Sequence, residues 1–390
     1  GDSFSSLNGG FAADETKMMA VSADNPNLIM VLEERSGKFG ALYKSTDSGD
    51  SFTKIQTGLA DVNNMFGYNK KGEDDRGQAP RDMDIIVDPL NDDNIIIAGI
   101  QCWKSVDGGA NFNLNTYWTP GGAASSSVGY IHADIDILIW EPGMVFAGTD
   151  GGIYTSGNNG YSYDDRTDGI SCREFYRIGV SKTDPNVVTG GSQDNGTSVM
   201  RGANREWIDW LGADGMETFV SWDDATKLYG TSQNGSLYRS TNQGISYNWI
   251  QEPDGSGSWV TPFEQDPIDA SVIYVGFNEV WKSSDNGNNW IQISDFDGNS
   301  LDELKIAPTD NKFIYTAESS ELYVTKNGGA SWTDISPGGN INYIHVSPRD
   351  KNRIVAVTRD AIYVSTNSGS SWTDYTKNLP NYVSFYCAVW

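Results

Sequence analysis

An eight-residue pattern, Ser/Thr-x-Asp/Asn-x-Gly-x-Ser/Thr/Asn-aromatic, occurs seven times and confines this 390-residue chain to a repetitive architecture. Copies begin at Ser45, Ser105, Ser156, Ser240, Ser283, Thr325 and Ser365, with successive spacings of 60, 51, 84, 43, 42 and 40 residues. The 84 is twice 42, so a repeat with a decayed pattern is expected between Ser156 and Ser240. Met200 to Trp207 fills that place: it keeps the closing aromatic but has Gly202 where the acid should be. A fixed period of about 40 residues marks solenoids and propellers.

Each copy lies between two apolar-alternating runs, as Glu321 to Thr325 and Ser331 to Ile335 do around Asn327, which is a hairpin signature. At such a turn an Asp or Asn side chain accepts backbone N–H bonds, and the Gly two residues later takes φ > 0 without steric cost. The acids and amides of the pattern, Asp47, Asp107, Asn158, Asn242, Asp285, Asn327 and Asn367, are therefore read as structural, with the final aromatic as an inward plug. Two further short strands precede each copy, for example Ile85 to Pro89 and Asn94 to Gly99. Four short strands per repeat, with no helical period, predict an all-β fold: a β-propeller of four-stranded antiparallel blades.

Eight blade-like repeats are expected, at about 14–57, 80–116, 128–166, 173–210, 214–252, 257–294, 300–336 and 340–378 of a single 1–390 propeller, whether complete or part of a larger ring. Residues 379–390 then read as a closing strand, or as the start of a blade that this chain lacks. The apolar end favours a trimmed chain, and residues Phe385 to Trp390 are an unpaired strand suited to strand addition. Two insertions, Gly58 to Pro80 and Asn115 to Gly129, interrupt the rhythm between blades.

A formal charge of −25 argues against a nucleic-acid partner, which needs a basic stripe, and fits an extracellular or cell-surface setting. Cys102, Cys172 and Cys387 are odd in number and far apart, so no disulfide framework is read. No apolar run spans a membrane, and no leader peptide opens the chain.

In a four-stranded blade the D-to-A and B-to-C connections share the face opposite the repeated turn, so function is expected there. Alternation along Tyr130 to Asp136 puts His132, Asp134 and Asp136 on one side of a strand. The nearby turns supply Asp150, Asp194, Asn195, Asp214 and Glu217, expected to converge with His132 and Asp134. Three readings compete. A calcium ion at His132, Asp134 and Asp136 is one, with no other cofactor implied. Acid–base cleavage of a glycan by Asp134, Asp214 and Glu217 is another. The third is that these are only tight turns and inner-strand packing, as the solitary His345 is read. Tyr117 and Trp118 in the second insertion, with Tyr68 in the first, are candidate glycan contacts.

The repeated pattern is identified as the Asp-box, or bacterial neuraminidase repeat, of sialidases, family 74 xyloglucanases and the sortilin-type (Vps10) domain. The segments between boxes carry a closer likeness. They are Gly129 to Asp134, Ala147 to Tyr154, Glu174 to Tyr176, Gly190 to Thr197, Gly212 to Glu217, Gly230 to Arg239 and Trp259 to Pro262. Together they resemble the large sortilin-like Asp-box propellers that bacteria export by type IX secretion, often labelled glycosyl hydrolases and often carrying further domains. That family's strand usually reads H-x-D-x-H; Asp136 at the last position is more compatible with a hard cation or plain hydrogen bonding than with a His-rich transition-metal site. A sialidase implies an arginine triad that is not found here, and a family 74 xyloglucanase implies two facing propellers. The resemblance thus implies a secreted, non-enzymatic propeller that binds a protein or glycan. A polysaccharide hydrolase of xyloglucanase type is the alternative, and a self-assembling filament or adhesin subunit is a third.

Overall fold

The computed structural model describes residues 9–58, 62–170, 173–296, 298–377, 379 and 384–390. Cys172, part of the first insertion and residues 380–383 of the tail lie outside them. The chain is all-β, with eight four-stranded antiparallel sheets, each a meander in which sequence neighbours pair. Two compact units divide it, residues 1–172 and 173–390.

The first unit holds three blades. Their A strands are Lys17–Val21, Asp84–Asp88 and Ile135–Glu141, and their D strands are Thr53–Thr57, Asn113–Leu114 and Asp164–Asp165. The second unit holds five, with A strands Phe175–Val180, Gly215–Val220, Phe263–Gln265, Glu303–Ile306 and Ile341–Val346. B strands are central in their sheets and covered on both sides, so Leu228–Ser232, Ile314–Glu318 and Ile354–Thr358 are buried at every position. D strands are peripheral and exposed.

Apolar clusters join neighbouring blades within a unit. Ile96, Ile131, Leu138 and Trp140 link the second and third, and Tyr315, Leu322, Ile344 and Ile354 link the seventh and eighth. Burying each such aliphatic side chain contributes roughly 1.5–3 kcal/mol against its exposed state.

The box is the C-to-D turn in all seven copies, and its bonding repeats nearly atom for atom. In the first, Ser45 Oγ donates to Asp47 Oδ1 at 2.7 Å, Ser51 N–H donates to the same oxygen at 2.9 Å, and Gly49 N–H donates to Ser45 Oγ at 2.9 Å. The same three bonds recur at Asp107, Asn158, Asn242, Asp285, Asn327 and Asn367. Hydrogen bonds from Ser51 and Ser45 hold the Asp47 carboxyl down at about 2. Two successive residues are left-handed in each turn, such as Ser368 (φ 56°) and Gly369 (φ 81°). A Cβ on Gly369 would sit 2.3 Å from Ile335 Cδ1.

The plug expectation holds in part. Trp290, Trp332 and Trp372 are partly buried, but Tyr247 is 49% exposed and packs edge-on against Trp210 and Tyr238 instead. In the decayed repeat Trp207 is also exposed. The hairpin there turns through Gly202 (φ 74°) and Arg205 (φ 54°), and without box bonding its D strand runs on as Glu206–Leu211.

The second insertion carries one short helix, Pro120–Ser126, capped by Thr119, which sequence periodicity did not show. Among the described residues no helix is long and apolar enough to cross a membrane. Cys102 is a buried free thiol, pushed up to about 12 by its burial, and Cys387 is a free exposed one. In the tail, residues 384–390 form no strand; Phe385 N–H donates to Arg359 O at 2.9 Å, and Arg353 lies over the Trp390 ring.

Candidate functional site

In the first unit the acidic residues gather at the head of blades two and three. The expected alternation of His132, Asp134 and Asp136 does not occur, because strand A starts only at Ile135. Asp134 sits before it at φ 61°, a left-handed conformation unusual for an aspartate, and the register is irregular between Ile135 and Ile137. The three side chains are therefore aimed by separate contacts. Asp134 Oδ1 accepts from Gln78 Nε2 at 2.9 Å. Asp136 is paired with Arg81, whose second nitrogen lies 3.6 Å from Asp150. His132 Nδ1 faces the Ala133 carbonyl at 3.2 Å, and its ring fills the space where a Cβ on Gly151 would stand.

Asp134 and Asp150 do come together: a carboxylate oxygen of one lies within 4.8 Å of one from the other. Sequence reasoning missed Gln78, Arg81 and Asp82, which enter from the end of the first insertion. Asp82 is 2% exposed, and its Oδ2 has no hydrogen-bond partner. Burial, then the charges of Asp134, Asp150 and Asp136, push its carboxyl up to about 7 against the opposing effect of Arg81. Burial and Asp150 likewise raise Asp134. The only signal available was an acid at the entry to an apolar strand.

Tyr117 and Trp118 are half-buried and tie the two insertions together. Tyr117 Oη and Trp118 Nε1 both donate to the Tyr68 carbonyl, at 3.2 and 3.3 Å, and Lys70 covers the Tyr117 ring.

In the second unit Asp194, Asn195 and Asp214 build interlocked turns. Asp194, at φ 58°, donates its N–H to Asp214 Oδ1 at 2.9 Å, and Asp214 N–H donates to Gln233 Oε1 at 3.3 Å. Asn195 Nδ2 donates to the Gln193 carbonyl at 3.1 Å. Beside these turns stands a polar aromatic pair. Tyr176 Oη donates to Gln193 Oε1, and Trp259 Nε1 donates to Tyr176 Oη at 3.3 Å, while the Trp259 ring remains 45% exposed. Tyr176 is the second residue of an A strand, Gln193 is in a B-to-C turn and Trp259 is in a D-to-A connection, so all three lie on the face opposite the boxes.

Glu217 does not join those turns. It faces along the A strands, where Arg177 Nε is 3.1 Å from it and Arg177 Nη2 is 3.8 Å from Glu303. Lys305 pairs with Glu264 and lies 4.0 Å from Glu303. Burial pushes both Glu217 and Glu303 up to about 7, with Lys305 and Arg177 opposing. Burial would lower Lys305, but Glu264, Glu303 and Glu217 together raise it. This network, three carboxylates and two cations on four A strands, carried no motif: each member is a single charge in a short apolar run.

Residues 278–386, from the sixth blade into the tail, match the family model described as sortilin, neurotensin receptor 3. That stretch is similar to the sortilin family, and the likeness covers less than half of the chain. Among curated proteins none matches the sequence. Three solved structures illustrate the similarity. One is the GH74 enzyme of Niastella koreensis, 13% identical over 91% of this chain and 71% of that one, with a TM-score of 0.30. The GH74 xyloglucanase of Xanthomonas campestris is 14% identical over 93% and 67%, with a TM-score of 0.27. YCF48 from Cyanidioschyzon merolae is 13% identical over 93% and 98%, with a TM-score of 0.34. At these scores the likenesses carry no functional argument.

Proposed function

We propose that this is a secreted or cell-surface propeller that binds a glycan, without cleaving it, through the face opposite the Asp-boxes. The observation that carries this reading is the Trp259–Tyr176–Gln193 chain. An indole held upright by its own N–H, with its ring in solvent, offers an apolar plate for a sugar face, and the surrounding amides and carboxylates of Gln193, Asn195 and Asp214 suit hydroxyl groups. Glycan rather than protein is favoured because the aromatic surface is small and rimmed by hydrogen-bonding groups. Binding without cleavage is supported by the engagement of the acids: Asp214 accepts a backbone N–H, and the Glu217 carboxylate is clamped by Arg177 and mostly buried.

Titration calorimetry against soluble plant, algal and bacterial glycans tests the reading. Trp259→Ala should weaken the affinity for whichever glycan binds by at least tenfold, as expected when one stacking residue of a small site is removed. An unchanged affinity would move the site away from this face.

A further inference from the structure

We propose that His345 is a proton-operated latch: its neutral ring holds the tail, residues 384–390, over the outward face of blade eight, and the tail is freed when the imidazole takes up a proton. The proposal does not depend on the glycan reading, and tail and blade both belong to the second unit.

The covered face follows from strand alternation. Ile354 and Ala356 join the apolar cluster shared with blade seven, so Val355 and Val357 point to the other side of the sheet. Register sets His345 opposite Val355 and Tyr343 opposite Val357, and the two rings lie stacked on that side with centroids 6.5 Å apart. Both rings are partly buried, and both valines are buried. Blade four shows the contrast: on the outward side of its A strand, Ile178 and Val180 are 60% and 63% exposed.

The tail is fastened to blade eight at both ends. At one end Asn342 Nδ2 donates to the Phe385 carbonyl at 2.8 Å, and Phe385 N–H donates to Arg359 O at 2.9 Å. At the other end Trp390 N–H donates to His345 Nδ1 at 3.3 Å, Trp390 Nε1 donates to the His345 carbonyl at 3.4 Å, and the Arg353 guanidinium lies 5.2 Å from the indole centroid. These contacts run from Asn342 to His345 along the A strand without forming a strand pair.

The Trp390 end is the one that protons can open. Imidazole Nδ1 accepts an N–H only while it carries no proton; once protonated it is a donor facing a donor. The charged groups around the ring are Lys305 of blade seven and Glu264 of blade six, with Glu303 acting on the stacked Tyr343 and Arg353 on the Trp390 side. Burial, then Lys305, holds the imidazole below its usual 6.5 against the opposing effect of Glu264. Docking is therefore fully favoured above the range of a free imidazole and is lost as the pH falls through the depressed value.

Cys387 provides the probe, because it is an exposed thiol within the tail whereas Cys102 is buried. A nitroxide is placed on Cys387 of the full chain in a Cys172→Ser background, and its motion is read by electron paramagnetic resonance. An ordered line shape at about pH 7.5 should give way to a mobile one by about pH 5, with the ratio of mobile to ordered label rising by up to about tenfold per pH unit, the limit for one linked proton. His345→Asn puts a non-titrating amide oxygen where Nδ1 stands and should keep the tail ordered at both values, whereas His345→Ala should leave it mobile at both. Circular dichroism confirms that each variant is folded; should the alanine variant fail, the asparagine variant decides alone. A label already mobile in the wild type at pH 7.5, one still ordered at pH 5, or the same acid release in His345→Asn would overturn the proposal.

Discussion

Trp332 Nε1 donates to the carbonyl oxygen of Ile293 at 2.7 Å, so the closing aromatic of one box is fastened to the end of the preceding blade. Trp372 does the same to Ile335 at 2.6 Å, and Trp290 to Gln251 at 2.9 Å. The box thus acts between repeats as well as within them. Its turn sets the hairpin, and its indole joins that hairpin to a neighbour.

Replacing Trp332 by Phe keeps an aromatic ring and leaves the Ile293 carbonyl without its donor. The expected loss is about 1–3 kcal/mol, the cost of an unsatisfied partly buried acceptor, read from urea unfolding. A loss below a few tenths would mean that the ring alone does the joining.

The amide of Asn327 accepts the Ser331 N–H at 3.0 Å and the Thr325 hydroxyl at 2.8 Å, and donates to Ser331 Oγ at 2.9 Å. Asn327→Ala should cost about 1–2 kcal/mol, by analogy with the loss of a helix cap. Glycan affinity should not change, because the box lies on the opposite face. Altered binding would contradict the structural role assigned to the boxes.

Stability should peak on the acid side of neutrality. Glu217 and Glu303 titrate near 7 in the folded state against 4.5 for the free side chain. Their folded-state contribution is therefore complete below about 4.5 and is lost as the pH rises through 7. Asp47 and Asp107 are displaced the other way, from 3.8 to about 2, so their contribution is present above 3.8 and is lost as the pH falls toward 2. Calorimetric scans in chelator at constant ionic strength should place the highest Tm at about pH 4–5. A Tm that rises steadily from pH 5 to 8 would count against the inner-strand network.

Lys305→Met tests the same network by charge. It leaves Glu264, Glu303 and Glu217 with Arg177 alone, and should destabilise the protein by roughly 3–5 kcal/mol at neutral pH. The penalty should shrink near pH 5, where the glutamates take up protons. A pH-independent penalty would point to lost packing of the lysine stem instead.

The eight blades were legible because the box is local chemistry repeated: an oxygen acceptor, a left-handed glycine and an aromatic need only eight residues to declare a turn. Site geometry was not legible in the same way. Asp134 leaves the strand pattern through a left-handed backbone that no alternation rule anticipates. Arg81 reaches Asp150 and Asp136 from another blade, so its partners are remote in sequence. Glu264 and Lys305 stand in strands of three and four residues, too short for a periodic signal, and only the packing of neighbouring blades brings them together. Trp259 lay in a segment marked for its family likeness, while Tyr117 and Trp118, marked as sugar contacts, have their polar atoms committed to Tyr68.

The face opposite the boxes is proposed to hold a glycan without cutting it. One experiment addresses both halves: wild-type protein and Trp259→Ala are incubated with an immobilised and a soluble form of each glycan in a panel, and retained protein and new reducing ends are measured together. Retention of the wild type, loss of retention in Trp259→Ala and no new reducing ends in any sample are the predicted results. New reducing ends, or retention that ignores Trp259, would contradict it.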